Sequence, residues 1–290
     1  MIAATATESG IAAVAAVTTD LVREIRRRHD LSPTATAAVG RLTTGAVLFG
    51  ASLKGKERLS LQVSGDGPIG SLSADAWLLA DGSLGARGYA RHPRVDLPVD
   101  GRGKLDVGAA VGSGSMQVTK SYEVGQPYVG VVPLRSGEIA EDLAAYLAQS
   151  EQIPSVVALG VLADPSGVVA AGGVLAQALP GADERAVLRL EKRALAMPPV
   201  TALMAEGAGA GELIEALAGG LELRGRRDTG VRFACLCTRE KVEGALLGLG
   251  AHELQRLAQE RPETEATCEF CGERYVYSSG ELRELADRCS

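Results

Sequence analysis

The sequence predicts an α+β protein in which an N-terminal mixed α/β core with antiparallel hairpins precedes a helical linker region and a small C-terminal module. Two observations lead to this prediction. Apolar residues alternate with polar ones in short segments joined by turn sequences, as in antiparallel hairpins. A later stretch is dominated by Ala, Leu, Glu and Arg, and all five cysteines follow it. We place the core at residues 1–180, the linker at 181–228 and the module at 229–290.

Two helices are predicted near the start of the core. Residues 19–29, TDLVREIRRRH, place apolar side chains on one helical face and arginines on the other, which predicts a surface helix. The next segment has Ser32 in position to cap a helix and Pro33 in its first turn, and its mostly apolar sequence runs to Gly55. A helix that is apolar on nearly every side is predicted to lie buried against a sheet.

Antiparallel hairpins account for most of the predicted strands. In residues 58–76 leucine and valine alternate with polar residues around the turn SGDGP, and two further apolar segments are joined by the turn DPSG. The predicted strands outside the first hairpin are residues 84–90, 116–122, 128–132, 156–163 and 168–178. A capped amphipathic helix is predicted to begin at Ser136. Hairpins interrupted by a few helices indicate an α+β architecture and not alternating β-α-β units.

The linker region is predicted to form short helices. Residues 183–222 are rich in Ala, Leu, Glu and Arg, with a break at MPPV in residues 197–200 and an end at the Gly-Gly pair 219–220. Helices this short gain little stability from their own residues, so we expect their apolar faces to dock on a neighbouring element. The apolar residues concerned are Val187, Leu188, Leu190, Leu195, Leu203, Leu213, Ile214 and Leu217.

Composition disfavours nucleic acids and membranes as partners. The formal net charge is -6 and only 3% of residues are aromatic, so the chain lacks the concentrated positive charge and the stacking platforms that nucleic-acid binding requires. The alanine-rich N-terminus has no basic segment before its apolar part, and the apolar stretch 156–179 is divided by DPSG. We therefore expect no signal peptide, no membrane span and a cytoplasmic protein.

No pattern of catalytic residues emerges from the sequence. The three histidines, His29, His92 and His252, are isolated and form no HxxxH or HExxH spacing. The glycine-rich GAAVGSGS of residues 108–115 lacks the Gly-Lys-Ser/Thr ending of a phosphate-binding loop and is predicted to be a turn. We expect no enzymatic activity.

The cysteines form the most informative pattern in the chain. CLC provides Cys235 and Cys237, thirty residues follow (238–267), and CEFC adds Cys268 and Cys271. Four thiolates in two close pairs can complete a closed tetrahedral zinc site, and the intervening segment then forms the body of the module. We predict one zinc ion in the reduced protein, bound by these four cysteines. Buried thiols without metal and a thioredoxin-like site are the alternatives.

The Cys-x-Cys pair also indicates that the cysteines of this site are oxidised and reduced reversibly. Two residues separated by one position in an extended chain have Cα atoms roughly 6.5–7 Å apart, close to the limit for a disulfide. A bridge between Cys235 and Cys237 therefore requires a bent backbone. A strained disulfide is readily reduced, which suits a reversible sensor better than a permanent crosslink. A purely structural zinc site remains the alternative.

Longer motifs around the cysteines resemble a known family. FACLCTRE, TCEFCGERYVYS and the spacer with LLGLGAHEL are similar to the zinc module of the 33 kDa heat-shock protein family, the redox-regulated bacterial chaperones. The resemblance continues upstream through GYARHPRVDLPV, GKLDVG and SGEIAEDLAAYLAQSEQIPS, and so covers nearly the whole chain. It implies an α+β core, a helical linker and a zinc module, in agreement with the three regions described above.

The resemblance also implies a function. A member of this family is expected to be an ATP-independent holdase that is inactive when reduced and zinc-bound. After oxidation has removed the metal, it is expected to bind unfolded or aggregation-prone client proteins. By the same resemblance, disulfides would join Cys235 with Cys237 and Cys268 with Cys271, and the oxidised form would tend to form a homodimer. Cys289 lies outside the family pattern.

Two other functions remain open at the level of sequence. A zinc-stabilised protein-binding or regulatory protein without a redox switch would use the same four cysteines, and a disulfide oxidoreductase would use a reactive CxxC. The apolar linker residues likewise allow two interpretations. They pack on the core as ordinary interior residues, or they form a client-binding surface that is exposed on release.

Overall fold

The computed structural model describes residues 1–6, 9–101 and 103–289, which form two compact units, Met1–Ala234 and Cys235–Ser290. Each unit has a hydrophobic core of its own. Both combine helices with mainly antiparallel strands, so the predicted α+β class is confirmed. Among these described residues, no helix is long and apolar enough to cross a membrane.

The first unit consists of runs of two or three strands separated by one to three helices. Its strands are β1 (Ile2–Ala6), β2 (Ile11–Val17), β3 (Arg58–Gly65), β4 (Ser71–Leu78), β5 (Leu84–Ala90), β6 (Gly114–Ser121), β7 (Tyr128–Pro133), β8 (Ser155–Asp164), β9 (Gly167–Ala178), β10 (Arg224–Asp228) and β11 (Val231–Phe233). Its helices are α1 (Thr19–His29), α2 (Pro33–Phe49), α3 (Val107–Val111), α4 (Ile139–Tyr146), α5 (Glu184–Ala196), α6 (Val200–Ala205) and α7 (Ala210–Ala218). The second unit contains α8 (Arg239–Leu247), α9 (Ala251–Glu260), β12 (Glu263–Thr267), β13 (Arg274–Ser278) and α10 (Ser279–Asp287).

Two sheets organise the first unit. Sheet A has the strand order β10-β1-β2-β9-β8, and sheet B has the order β11-β5-β4-β3-β6-β7. The predicted hairpins β3–β4 and β8–β9 and the predicted strands β5, β6 and β7 are confirmed, with small shifts of their ends. Strands β1, β2, β10 and β11 were not predicted. The alanine-rich β1 and β2 and the arginine-rich β10 carry little of the alternation that indicates a strand, and β11 has only three residues, too few to show a pattern.

Helix α2 lies between the two sheets. It contacts β4 and β5 of sheet B and β8 and β9 of sheet A, and nearly all of its residues are buried, as its apolar sequence predicts. Ser32 caps the helix as predicted, because its hydroxyl accepts a hydrogen bond from the Ala35 N–H at 3.2 Å. The helix ends at Phe49, before the predicted Gly55, and a short 3-10 turn, Gly50–Ser52, follows it.

Helices α5, α6 and α7 cover the outer face of sheet A. Alternate residues of a strand point to opposite faces of its sheet. Val14 of β2 and Leu175 of β9 accordingly belong to the core around α2. Their neighbours Ala13 and Val174 belong to a second core, formed with the three helices. The linker helices therefore pack on sheet A as part of the first unit. A separate functional role for residues 181–228 remains a prediction.

The apolar linker residues divide into three groups by exposure. The buried ones are Leu190, Leu213, Ile214 and Leu217. Val187 and Leu203 are half-buried at the edge of the second core. Leu188 and Leu195 are exposed, at 56% and 90% of their surface. Most of this apolar face is thus covered by sheet A, which gives the short helices the docking that their stability requires. Two large side chains, Leu188 and Leu195, face solvent in this structure.

The helix predicted to begin at Ser136 begins instead at Ile139. The backbone N–H groups of Arg135 and Ser136 both donate to the Asp142 carboxylate, at 2.7 and 3.1 Å. These residues form a loop that is held by the first turns of α4, so the predicted cap at Ser136 is wrong. The Asp142 side chain is fully buried, and its carboxylate accepts the two backbone hydrogen bonds of this loop from within the helix.

The glycine-rich GAAVGSGS is a turn only at residues 112 and 113, because residues 108–111 form most of α3 and residues 114 and 115 begin β6. The turn prediction for the rest of this stretch is wrong. Gly112 has a φ of +73°, which glycine adopts without strain. A Cβ atom added to Gly114 would overlap the Ser64 carbonyl oxygen. The Ser113 N–H donates to the Asp66 carboxylate at 2.7 Å and joins this turn to the β3–β4 turn. The glycines thus allow two backbones to approach closely.

The second unit builds a small core from its helices and one strand. The buried apolar residues are Leu246, Leu254, Ala258, Tyr277, Leu282, Leu285 and Ala286. Strands β12 and β13 pair as the antiparallel hairpin from which α10 continues. Ser278 and Glu281 cap the start of α10 through reciprocal hydrogen bonds. A core of this size supplies little stability by itself.

We expect Gly114→Ala to lower the free energy of unfolding of the first unit by about 1–3 kcal/mol, because the added methyl group must displace the Ser64 backbone. Urea unfolding of the reduced protein, followed by the fluorescence of Trp77, measures this change. Gly101→Ala is the matched control, since no atom lies within 4 Å of a Cβ at that exposed position. Equal losses in the two variants would contradict the close approach at Gly114.

Candidate metal centre

The first cysteine pair lies in the segment that leads into helix α8. The Sγ atoms of Cys235 and Cys237 lie within 4.8 Å of each other, so both side chains face the same site. Thr238 caps α8 by accepting the Lys241 N–H at 3.3 Å, and the Lys241 ammonium donates to the Leu236 carbonyl at 2.6 Å. These bonds hold the backbone around the pair.

The second pair lies in the turn that joins β12 to β13. The Cys268 N–H donates to the Glu273 carbonyl at 2.9 Å, and the Gly272 N–H donates to the Cys268 carbonyl at 2.8 Å. Gly272 has a φ of +72°, which lets the chain turn tightly after Cys271. The hairpin therefore presents its two cysteines from one compact turn.

The structure brings all four predicted sulfurs together. The Sγ atoms of the four cysteines lie within 4.8 Å of one another. Two short separations connect the pairs, Cys235–Cys268 at 3.8 Å and Cys237–Cys271 at 3.3 Å, and none of these residues is in a disulfide. A tetrahedral zinc ion with Zn–S bonds of about 2.3 Å holds its ligands about 3.8 Å apart. The cluster therefore has the dimensions that a single zinc ion needs.

Burial affects the protonation of two of the sulfurs. Burial raises the pKa of the Cys271 thiol, and the neighbouring cysteine sulfurs add to this effect while the Glu273 backbone N–H opposes it. Burial likewise raises the pKa of the Cys237 thiol. These two thiols are therefore neutral near pH 7 unless a cation stabilises their thiolates. A set of four sulfur donors suits zinc better than magnesium or calcium, which prefer oxygen ligands.

Tyr275 contacts the cluster from strand β13. Its hydroxyl hydrogen-bonds the Cys237 sulfur, and this bond lowers the pKa of Cys237 without overcoming the effect of burial. A donor to a ligand sulfur orients the ligand and stabilises its thiolate. Tyr275 was not among the predicted site residues. The available signal was its place four residues after Cys271, in the aromatic sequence RYVYS that follows CEFC.

Cys289 and His252 lie outside the sulfur cluster. The Cys289 sulfur contacts the Leu285 and Leu247 carbonyls at 3.5 and 3.6 Å, beside the core of the second unit. His252 is exposed on α9. The cluster consists of the four cysteines of the predicted ligand set and includes neither of these residues.

Comparison with known proteins identifies the family. A family model described as Hsp33 protein matches residues 1–278. The chain belongs to the Hsp33 family. A 33 kDa chaperonin from Desulforamulus reducens is 41% identical, with 99% of this chain and 97% of the relative covered. A 33 kDa chaperonin from Cyanothece sp. is 46% identical, with 99% and 96% covered.

A crystal structure of an Hsp33 homologue has the same fold. The 33 kDa chaperonin from Thermotoga maritima matches 99% of this chain and 97% of its own length, with a TM-score of 0.90 and 36% sequence identity. The resemblance inferred from the sequence motifs is confirmed by these matches. The Hsp33 family is a chaperone family, and the relatives are named as chaperonins.

In this Hsp33 family member, we expect Tyr275→Phe to weaken zinc binding by about tenfold to a hundredfold, the range for removing an outer hydrogen bond to a metal ligand. Competition between the reduced protein and a chromogenic chelator measures the affinity. Tyr277→Phe is the control, because the Tyr277 hydroxyl donates to the Arg239 carbonyl at 3.3 Å and not to a sulfur. A Tyr275→Phe protein with the affinity of the unaltered chain would contradict the role of this hydroxyl.

Proposed function

We propose that the protein is a redox-regulated, ATP-independent chaperone that holds unfolding client proteins under oxidative stress. The reduced chaperone is inactive and has one zinc ion bound by Cys235, Cys237, Cys268 and Cys271. Oxidation of these cysteines, with loss of the zinc, activates it. The observation that carries this proposal is the cluster of four sulfurs within a unit whose own core is small.

The energetics support a coupling between metal and fold. A unit of this size obtains about 3–5 kcal/mol from its core. Structural zinc contributes on the order of 10–16 kcal/mol of apparent binding free energy at neutral pH. Loss of the ion is therefore expected to unfold residues 235–290. While it is bound, the ion keeps the sulfurs as thiolates, the form that oxidants attack, and holds them apart from one another.

Two disulfides complete the oxidation in this proposal. For each one, two thiolates lose two electrons in total and form an S–S bond. Hydrogen peroxide, taken as the oxidant, accepts these two electrons and, with two protons, becomes two water molecules. The zinc ion leaves when its four thiolates have been consumed by two peroxide molecules.

The disulfides are proposed to join Cys235 with Cys237 and Cys268 with Cys271. Membership of the Hsp33 family supports this pairing. Loop closure supports it as well, because in an unfolding chain these partners are two or three residues apart. The partners across the cluster are 33 and 34 residues apart, and closing such loops is entropically less favourable.

The linker helices supply the client-binding surface in this proposal. Helices α5, α6 and α7 bury their apolar faces against sheet A. Unfolding of the second unit is proposed to loosen these helices, because segments so short depend on docking for their order. Release exposes both the helix residues and the sheet face beneath them, which together form an extended apolar surface of the kind that binds other proteins.

The remaining parts of the proposal concern catalysis, the cellular compartment, the oligomeric state and the partners. The protein acts without catalysis, which the chaperonin names of its relatives support. It acts in the cytoplasm, where a reducing environment keeps its thiols available. Its oxidised form is a homodimer, in keeping with the family resemblance. Its partners are unfolded or aggregation-prone proteins, and its net charge of -6 disfavours nucleic acids.

Removal of zinc from the reduced protein by a strong chelator should unfold the second unit and loosen the linker helices, and it should leave the core around helix α2 in the first unit folded. Circular dichroism should show a partial loss of helix, while Trp77, buried in the first unit, keeps its fluorescence. Cys271→Ser should resemble the chelated protein, and Cys289→Ser should resemble the untreated one, because its sulfur lies outside the cluster. A reduced, metal-free chain with a folded second unit would contradict the proposal.

The proposed function is tested by light scattering of a thermally unfolding client protein. Peroxide-treated chaperone should suppress aggregation without ATP, whereas the reduced, zinc-loaded protein should have little effect. Equal suppression by both forms would favour a zinc-stabilised binding protein without a redox switch. Reduction of insulin disulfides, without suppression of aggregation, would favour a disulfide oxidoreductase.

A further inference from the structure

A three-residue strand next to the cysteines covers one edge of sheet B. Strand β11 runs parallel to β5 and pairs with its first three residues. The Leu84 N–H of β5 donates to the Gly230 carbonyl at 2.8 Å, and the Ala234 N–H donates to the Ala86 carbonyl of β5 at 3.1 Å. The residue that follows in the chain is Cys235. The edge of β5 is therefore covered by the segment that leads into the sulfur cluster.

The two faces of β11 have different surroundings. Val231 and Phe233 are half-buried and pack against the core of the first unit. The Arg28 guanidinium of α1 lies over the Phe233 ring, 4.4 Å from its centre. Arg232 points the other way and pairs with Asp81 at 2.7 Å. The groove beside β5 and α1 thus accepts two bulky apolar side chains that are two positions apart.

The pairing of β11 with β5 is suited to exchange. Parallel strand pairs are less stable per residue than antiparallel ones, and they normally lie in sheets that are covered on both faces. The Arg232–Asp81 ion pair is exposed at both ends, so solvent screens it. A strand of three residues held in this way is readily replaced by another extended chain.

Without β11, strand β5 would be an unprotected edge. Its sequence, LGARGYA, has no proline and one charged residue, Arg87. That residue is buried and bonds the Asp75 carboxylate of β4, at 2.7 and 2.9 Å. Edge strands are usually protected against pairing by exposed charges, prolines or bulges. The side chains of β5 therefore offer no such charge or proline against an incoming strand.

We propose that the edge of β5 is a docking site for an extended apolar segment of an unfolded client, which adds to sheet B as a parallel strand in place of β11. The client places bulky apolar side chains where Val231 and Phe233 lie in the reduced protein. Backbone hydrogen bonds supply much of the binding, so clients of many sequences fit. The inference rests on the proposed function, because β11 leaves this edge when the second unit unfolds.

Amide exchange at Leu84 reports whether the edge is covered. We expect the Leu84 amide to exchange about tenfold faster or more after peroxide treatment, because its bond to Gly230 is lost. Protection should return when reduced, carboxymethylated α-lactalbumin, a permanently unfolded protein, is added. Leu61 of β3 is the control and should stay protected throughout, since β3 is paired on both sides.

A double substitution, Val231→Asp with Phe233→Asp, opens the edge without oxidation. The reduced variant should keep its zinc, as measured by release to a chelator, and should bind α-lactalbumin about tenfold more tightly or more than the reduced unaltered protein. Val131→Asp on β7 is the matched control, because this residue is 59% exposed on an edge that β11 does not cover. It should produce no gain in binding.

The outcomes separate this inference from the proposed function. If the oxidised protein binds α-lactalbumin but the Leu84 amide never loses its protection, the β5 edge is not the docking site. The edge is also excluded if the Leu84 amide loses its protection on oxidation and does not regain it when α-lactalbumin binds. The same conclusion follows if the double variant keeps its zinc, exposes Leu84 and gains no affinity. If the oxidised protein binds no client at all, the proposed function fails and this inference fails with it.

Discussion

The meeting of four sulfur atoms from two segments separated by thirty residues is the constraint on which the second unit depends. Few apolar side chains are buried in this unit, and its helices are short. Burial raises the pKa of the Cys237 and Cys271 thiols, so these two favour the neutral form in the absence of a cation. In the proposed function, folding and metal binding are coupled in this part of the chain, and oxidation of the thiolates also removes the support of the fold.

The first unit is stabilised in a different way. Its layers, sheet B, helix α2, sheet A and the linker helices, bury one another over two continuous cores that contain no sulfur ligand. The central strands β2 and β9 of sheet A contribute apolar residues to both cores, so the outer face of these strands depends on the linker helices for its cover. Stability is consequently uneven along the chain, and the proposed switch acts where stability is lowest.

The segment between the linker helices and the cysteines has two functions in this arrangement. Strand β10 covers the edge of sheet A beside β1, and strand β11 covers the edge of sheet B beside β5. Both strands are short. β10 is exposed along its whole length, whereas Val231 and Phe233 of β11 are half-buried. The helices that cover the outer face of sheet A and the strands that cover the two sheet edges therefore belong to one continuous segment of the chain, which ends at the sulfur cluster. In the proposed mechanism, apolar faces and unpaired backbone groups become available together, and an unfolded polypeptide offers both.

The sequence by itself determined the α+β class, the two hairpins, the buried helix α2 and the grouping of the cysteines, because alternation, capping and residue spacing are local properties. Only the tertiary structure decided that β1 pairs with β2 and β10, where Ile2 lies opposite Asp228. It also moved the start of α4 to Ile139 and placed the Tyr275 hydroxyl on a ligand sulfur. In each case the deciding partner comes from a different element of the fold or from a loop that packs against it. Alanine-rich and arginine-rich strands have no distinctive pattern of their own, so their pairing is set by the distant residues that they meet.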